Sequence, residues 1–591
     1  MKDFFKYVLA TLVGLMAFSF VVFLFGLIGL MGVAASQETT TSIPDQSVMV
    51  INLSGTLNER AQTSPLQQLQ GGVTSSMGLD NMLTAIRKAK TADKVKGIYI
   101  EAGAFAPDSY ASLQALRRAL ADFRSSGKWI IAYGDSYTQA CYYLASVADQ
   151  VLVNPQGVVD LHGLASKPMF VKDLLQKVGV AVQVVKVGAY KSATEMFTGE
   201  KMSDADRAQT TAYLNGIWQN VVKDIAASRH LTAQQVNAYA DSAVVLMDAS
   251  NYKKLHLVDG LCYTDEVKQI IKRKLGLEDD DALQQVTPKE VVNAPDNEVE
   301  EGDEIAVYYA YGDIVDGVTG IASQKHVIDA QTVCKDLEDL MNDDNVKAVV
   351  LRVNSGGGSA YASEQICHQI QKLKAKKPVV VSMGGMAASG GYYISSFANW
   401  IVAEPTTLTG SIGIFGIVPE FSGLLQNKLG LKFDIVKTNK YSDFGDVSRP
   451  FTADEMHLLE GQIDRGYKLF RQRVATGRHL TIDQVEKVAQ GHVWLGQDAL
   501  KIKLVDQLGG LDVAVDKAAK LAKLTDYHTD SYPAEEDFLT QLFSRVTGND
   551  NYLDEHLQAA LGEYYQPLML IRDVNNYNPL QARMPFFPNI Q

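Results

Sequence analysis

The sequence predicts an α/β fold built twice in tandem, each copy around a parallel sheet, behind one N-terminal transmembrane helix. Three observations predict it. A long internal repeat runs through the chain, β-branched runs alternate with helical stretches inside each copy, and the first residues form an uncharged apolar run.

After Lys2, Asp3 and Lys6 no charged residue occurs until Glu38. The run between them, YVLATLVGLMAFSFVVFLFGLIGLMGVAAS, is longer than the ~20 apolar residues that cross a bilayer. A cleaved signal peptide is the alternative, with GVAAS as its cleavage site, but an apolar signal region spans only ~7–15 residues. A retained anchor over residues 1–45 is expected. Positive charge precedes the span, so the N-terminus is expected in the cytoplasm and the bulk of the chain outside it.

The repeat carries the rest of the organisation. IAYGDSYTQACYYLASVADQVLVNP (Ile131 to Pro155) lies without gaps on VSMGGMAASGGYYISSFANWIVAEP (Val381 to Pro405). KVKGIYI at Lys94 matches NVKAVVL at Asn345, RHLT recurs at Arg229 and Arg478, and LVDGL at Leu257 matches LVDQL at Leu504. Four correspondences in one order mark a duplication. AVVLRV and PVVVSM read as buried parallel strands. ASEQICHQIQKLKAK, with Ile366, Ile370 and Leu373 at helical spacing, reads as a crossover helix. The expected domains are 46–276 and 305–526, joined by an acidic, proline-containing linker at 277–304 and followed by a tail at 527–591 that matches neither copy. Its PFFP ending suits docking on a partner surface and equally a pendant tail.

Bulk composition narrows the function. A chain of 591 residues with 46% hydrophobic and 21% charged residues is a folded protein of two or more domains. A formal net charge of -13 argues against nucleic acid as partner, because phosphate binding needs a basic surface. Four scattered cysteines without CxxC spacing give neither a zinc site nor a disulfide framework and read as buried free thiols. No HExxH or close carboxylate cluster occurs, which argues against a metallopeptidase, and no metal is expected.

Three segments could carry chemistry. GGMAASGGYY places Ser389 between a strand and a helix, where small neighbours can expose a hydroxyl and helix-start N–H groups can face an oxyanion. Close helix packing explains the same small residues. RVNSGGGSAYAS is a glycine-rich loop leaving a strand; without a following GK[ST] it is no nucleotide loop, but it could supply a second oxyanion donor. VVKVGAYKSATEMF sets Lys191 among small and apolar residues. A lysine serves as general base only when desolvation lowers its pKa from ~10.4. Most single lysines face solvent, and the flanking Lys186 and Lys201 read that way.

Comparison of the copies joins these segments. Opposite Ser389 the first copy has Gln139, opposite the glycine-rich loop it has AGAFAPDS, and opposite Lys191 the second copy has Ser442. Each copy lacks what the other has, the pattern of one composite site between duplicated domains. Lys440 stands as a shifted alternative to Lys191. His162 and His368 have no triad setting in sequence, and His230 and His479, retained in both copies, read as structural.

SGGGS, MGGMAASGGYY, EPTTLTGSIGIFG and AYKSATEMF together resemble signal peptide peptidase A in its long, duplicated bacterial form, a Ser/Lys peptidase of family S49. The resemblance spans nearly the whole chain and implies tandem Clp protease/crotonase-like domains that work without a cofactor. It implies Ser389 as nucleophile, Lys191 as base, Ser411 of TGSIG as a hydrogen-bond partner of the amine, and Gly390, Gly357 and Gly358 as oxyanion donors. The loop reads NSGGG where relatives commonly carry proline after the serine. Further implications are a bacterial inner-membrane, single-pass enzyme with a periplasmic catalytic part, a homotetramer enclosing a chamber, and cleaved signal peptides and other hydrophobic peptides as substrates. Two rivals are an acyl-CoA-binding crotonase-like protein, separated from cytoplasmic CoA by the anchor, and a catalytically inactive membrane scaffold, disfavoured by intact Ser389 and Lys191.

Overall fold

Two largely parallel sheets, one from each repeat, hold most of the core. The structure, a computed structural model, describes residues 42–61, 77–295, 302–317, 326–534 and 580–584, with nine scattered residues between 6 and 21. Among the described residues no helix is long and apolar enough to cross a membrane. The span expected within 1–45 lies almost wholly outside them, as does most of the tail after 534.

In the first half β1 (Ser47–Asn58), β2 (Val95–Pro107), β3 (Trp129–Tyr137) and β4 (Gln150–Val159) lie side by side in that order, all parallel. Ile98, Ile100, Ile130, Ala132, Val151 and Val153 have no exposed surface, as strands covered on both faces require. The crossovers are α1 (Leu79–Thr91), α2 (Tyr110–Ser125) and α3 (Gln139–Ala145). α1 buries Leu79, Met82, Ile86 and Ala89, one stripe at helical spacing. The Ser109 and Thr138 side chains open α2 and α3 by accepting the N–H groups of Ser112 and Cys141. Beyond β4 come β5 (Ala181–Lys186), the long helix α4 (Asp204–Arg229) and α5 (Thr264–Leu275), whose Val267 and Ile271 cover the outer face of the sheet.

The second half repeats the plan. β6 (Asp303–Tyr311), β9 (Val346–Ser355) and β11 (Val379–Ala388) are parallel neighbours, linked through α6 (Ala330–Asn342) and α7 (Ala360–Lys376). The segment following β11 gives α8 (Gly390–Ser395), then β12 (Trp400–Ala403) and β13 (Leu408–Gly410), both parallel to β11. Later come β14 (Phe415–Glu420), α9 (Ala453–Arg478), β15 (Val493–Leu495) and α10 (Leu511–Ala522). α4 and α9 are the same element in the two copies, each ending on a histidine with φ near 55° that donates its N–H back into the helix, His230 to Ala226 and His479 to Ala475. The repeated RHLT is thus a helix stop.

Two stretches are more ordered than their composition suggested. In the acidic segment 277–304, residues 285–286 pair with β1, and a capping box of Thr287 and Glu290 with Pro288 behind it starts a short helix, Pro288–Val292, that buries Val291. Val286 and Val291 supply the apolar contact that docks an otherwise acidic stretch on the first half. At the head of the tail, β16 (Tyr527–Tyr532) adds a parallel strand outside β6.

A third, smaller sheet is built from both halves. Its order is β8 (Val327–Asp329), β7 (Asp313–Val315), β10 (Gly357–Ser359), β17 (Leu580–Arg583), β14 and β5. β5 of the first half runs antiparallel to β14 of the second, Lys186 opposite Phe415 and Ala181 opposite Glu420. Polar contacts fix the same junction. Arg352 and Glu59, both almost fully buried, pair at 2.5 Å, and Arg118 grips Glu404 through two bonds of 2.7 and 2.8 Å. A bidentate pair of this kind constrains orientation as well as distance.

Candidate active site

The parallel register sets two serines side by side. Ala388 of β11 pairs with Gly410 of β13, so the next residues, Ser389 and Ser411, leave the sheet together at the carboxyl ends of their strands. Both take positive φ, 54° and 49°, which side-chain-bearing residues rarely adopt. Hydrogen bonds hold the turns: Ser389 N–H donates to Gly410 O at 2.8 Å, and Ser411 N–H to His492 O at 2.7 Å. Strain of about 1–3 kcal/mol per residue persists where surroundings over-determine the backbone, and it concentrates at functional sites.

Lys191 arrives from the other half. β5 delivers the chain to a turn that starts the 3-10 helix Ser192–Thr194, and Gly491 lies so close that a β-carbon there would stand 2.6 Å from Lys191 N. The Lys191 side chain has no exposed surface. Its Nζ lies 2.7 Å from Ser389 Oγ, 3.0 Å from Ser411 Oγ and 3.2 Å from Ser411 O. Among the described residues no carboxylate pairs with it. Burial without a counter-charge pushes the amine well below the ordinary lysine range. One chain therefore supplies both side chains of the pair, from opposite repeats.

A network that the sequence reading did not single out fixes the lysine turn. Ser192 Oγ donates to the buried Asp206 carboxylate at 2.6 Å. Gln209 Nε2 donates to that carboxylate and to Tyr190 O, while its Oε1 accepts Val493 N–H. Asp206 and Gln209 lie on the first turns of α4, the helix that follows the lysine turn. The one local signal was Ser192 beside the lysine.

The glycine-rich loop borders the same space. Gly357 has φ 101°, and a β-carbon on it would stand 2.6 Å from Gly390 N, so no side chain fits between loop and helix start. Gly357 N–H is already engaged, donating to Ser355 Oγ at 3.1 Å. Gly358 belongs to the β10 ladder, opposite Ala582 of β17.

The counterpart positions are closed. Gln139, in the place of Ser389, is buried, donating to Tyr110 Oη and Gly163 O and accepting the N–H groups of His162 and Gly163. Lys440 and Ser442 are exposed, and Lys440 pairs with Asp454 on the surface. The shifted alternative to Lys191 therefore has no place in the site. His162 bonds Asp160 and His368 is exposed.

Comparison with known proteins gives the following. The model of "Peptidase family S49" matches residues 122–278 and 371–525, and that of "Clp protease" matches 314–400. "Protease 4" of Salmonella typhi is 36% identical over 534 residues, 87% of this chain and 85% of its own length. "Putative signal peptide peptidase SppA" of Enterococcus faecium is 34% identical over 197 residues, 33% of this chain and 57% of its own. Among solved structures, ClpP1 from Listeria monocytogenes aligns with 34% of this chain and 91% of its own, at 17% identity and a TM-score of 0.22.

Proposed function

The chain belongs to peptidase family S49, and from that membership we propose that it is a membrane-anchored Ser/Lys endopeptidase degrading signal peptides left after secretion. That it is a serine peptidase follows from the family. The observation that carries the finer reading is a fully buried amine 2.7 Å from a serine hydroxyl.

Counting protons on Nζ assigns the roles. A neutral amine has two N–H donors and one lone pair, whereas an ammonium has three donors and no acceptor. The Ser411 carbonyl and hydroxyl oxygens accept the two N–H groups, which leaves the lone pair facing the Ser389 hydroxyl. Neutral Lys191 then takes the serine proton as Oγ attacks a peptide carbonyl. The proton passes to the leaving amine, and water, deprotonated by the same lysine, hydrolyses the acyl-enzyme. The Gly390 N–H, with Gly358 from the loop, stabilises the tetrahedral oxyanion. Gly357 shapes the passage, since its own N–H is occupied.

The anchor reading rests on the apolar run between Lys6 and Glu38, which would hold a periplasmic catalytic part near the bilayer of the inner membrane. Signal peptide cores are apolar and are released at that surface. Self-association has support in an unpaired segment. Leu429, Leu431, Phe433, Ile435 and Val436 are exposed, in the place where the first repeat has β5 paired with β14. A second copy offering its first half would cover them, in keeping with a homotetramer.

The test is hydrolysis of a synthetic signal peptide by the full chain in detergent. Ser389→Ala and Lys191→Ala are expected to abolish turnover with the folded content unchanged by circular dichroism. Undiminished turnover in Lys191→Ala would refute the dyad.

A further inference from the structure

The outer edge of the second sheet carries a group of side chains that the dyad does not use. β16 forms that edge, with β6 and β9 between it and β11. His528, Asp530 and Tyr532 alternate along β16 and so share one face, and the parallel register sets His528 opposite Glu304. One ligand atom each from Glu304, His528 and Asp530 lies within 4.8 Å of the other two. His528 Nε2 is 3.8 Å from Asp530 Oδ2. The other ring nitrogen, Nδ1, is buried and has no hydrogen-bond partner among the described residues.

Glu304 is the informative residue. It is 7% exposed, and its side chain accepts one hydrogen bond, from Tyr532 Oη at 2.8 Å. Glu59, Glu404 and Glu455, buried to a similar degree, each hold an arginine. Among the described residues no lysine or arginine pairs with Glu304 or Asp530. Burial, followed by Glu304, Asp530 and Asp343, pushes the Tyr532 phenol up, so the phenol stays a donor in strongly negative surroundings. A buried carboxylate is costly unless a positive charge and hydrogen bonds compensate it. Here the compensating charge is missing, while two carboxylates and an imidazole converge on one place.

We infer that Glu304, His528 and Asp530 form a binding site for a divalent transition-metal cation of the zinc class, which staples β16 to β6. An imidazole among the ligands favours such an ion over magnesium or calcium, which take oxygen ligands. Bonds of about 2.0–2.1 Å set zinc ligands about 3.3 Å apart, so small side-chain rotations close the 3.8 Å gap. Asp530 is exposed, and water completes the coordination from that side. β6 opens the second half and β16 follows its last helix, α10. The ion therefore joins the two ends of that half, a site that exists only in the folded chain, and it stabilises the fold by mass action.

The experiment titrates zinc chloride into the full chain in detergent after treatment with a chelator. Wild type, Glu304→Gln and His528→Ala are compared by calorimetry and by thermal unfolding. The glutamine keeps an oxygen for the Tyr532 hydroxyl and removes only the charge, so it decides the matter if the histidine variant misfolds. Wild type is expected to bind one zinc per chain that both variants lose. Zinc at about 100 times Kd should raise the wild-type unfolding temperature by about 5–10 °C, with no such rise in the variants. Magnesium and calcium at the same concentration should leave it unchanged. Peptide hydrolysis should be equal in all three chains, since neither residue touches the dyad, so the outcome does not depend on the Ser/Lys reading. Zinc bound with the same stoichiometry and affinity by wild type and Glu304→Gln overturns the site. An unfolding temperature that zinc raises equally in both, or in neither, overturns the staple.

Discussion

Removing the Ser411 hydroxyl isolates what orientation of the amine contributes to catalysis. In the structure Ser411 gives Lys191 Nζ two acceptors, Oγ at 3.0 Å and the carbonyl at 3.2 Å. Ser411→Ala deletes the nearer one inside a site with no exposed surface at residues 191, 389 and 411. A buried donor left without its partner costs about 1–3 kcal/mol. If about 2 kcal/mol of this is lost from the transition state, at 1.36 kcal/mol per tenfold, kcat/KM falls about 30-fold. The loss should lie in kcat, because the hydroxyl faces the lysine and not the groove. The pH profile should also move, with a definite sign. A hydroxyl oxygen accepts more strongly from an ammonium than from an amine, so its removal favours the neutral form and carries the acid limb of kcat/KM to lower pH. Ser411→Gly is the control. It removes the same oxygen but is free of the positive-φ strain, so it should match the alanine variant in activity while exceeding it in stability. Steady-state kinetics across pH measure all of this. Full activity in Ser411→Ala, a loss carried by KM, or an acid limb moved to higher pH would refute the reasoning.

Backbone strain at the nucleophile predicts that Ser389→Gly is more stable than Ser389→Ala by about 1 kcal/mol, the relief at φ 54° less the entropy of glycine; equal urea midpoints would contradict it. Lys191 links stability to pH. Its folded pKa is lowered, so between that value and the ordinary ~10.4 the unfolded chain holds one proton more and stability rises with pH. Relative to Lys191→Met, the unfolding free energy of the wild type should therefore climb by about 1.4 kcal/mol per pH unit in that window, read from urea titrations. A flat difference would mean that the amine stays charged. Arg352→Met leaves Glu59 buried without its partner across the junction of the halves and should cost about 3–5 kcal/mol. A loss under about 1 kcal/mol, as for an exposed pair, would mean that this contact does not hold the junction.

Much of the architecture was legible because the chain states it twice. Buried parallel strands announce themselves as runs such as AVVLRV, and the aligned copies exposed the replacements of Ser389 by Gln139 and of Lys191 by Ser442. Each copy keeps the group that the other has replaced, and such a reciprocal difference points to a shared site. Other features escaped because only the folded chain brings their partners together. Asp206 and Gln209 reach the lysine turn across a tertiary contact with nothing in their own segment to mark it. LQARM, at 580–584, has no alternating pattern and gains its strand only from the edges of β10 and β14. The docking of residues 285–292 had a readable cue, threonine before proline with glutamate three residues on, that the acidity of the stretch outweighed.

The claim on which the account turns is that an uncharged Lys191 activates Ser389 within one chain. The rate at which a fluorophosphonate modifies Ser389, followed against pH in wild type and in Lys191→Met, tests it most directly. The account predicts a wild-type rate that reaches half its plateau well below pH 10.4 and a variant slower by about 10²–10⁴-fold at every pH. A variant that reacts as fast as the wild type, or a wild-type rate that rises only with the titration of an ordinary lysine, would contradict it.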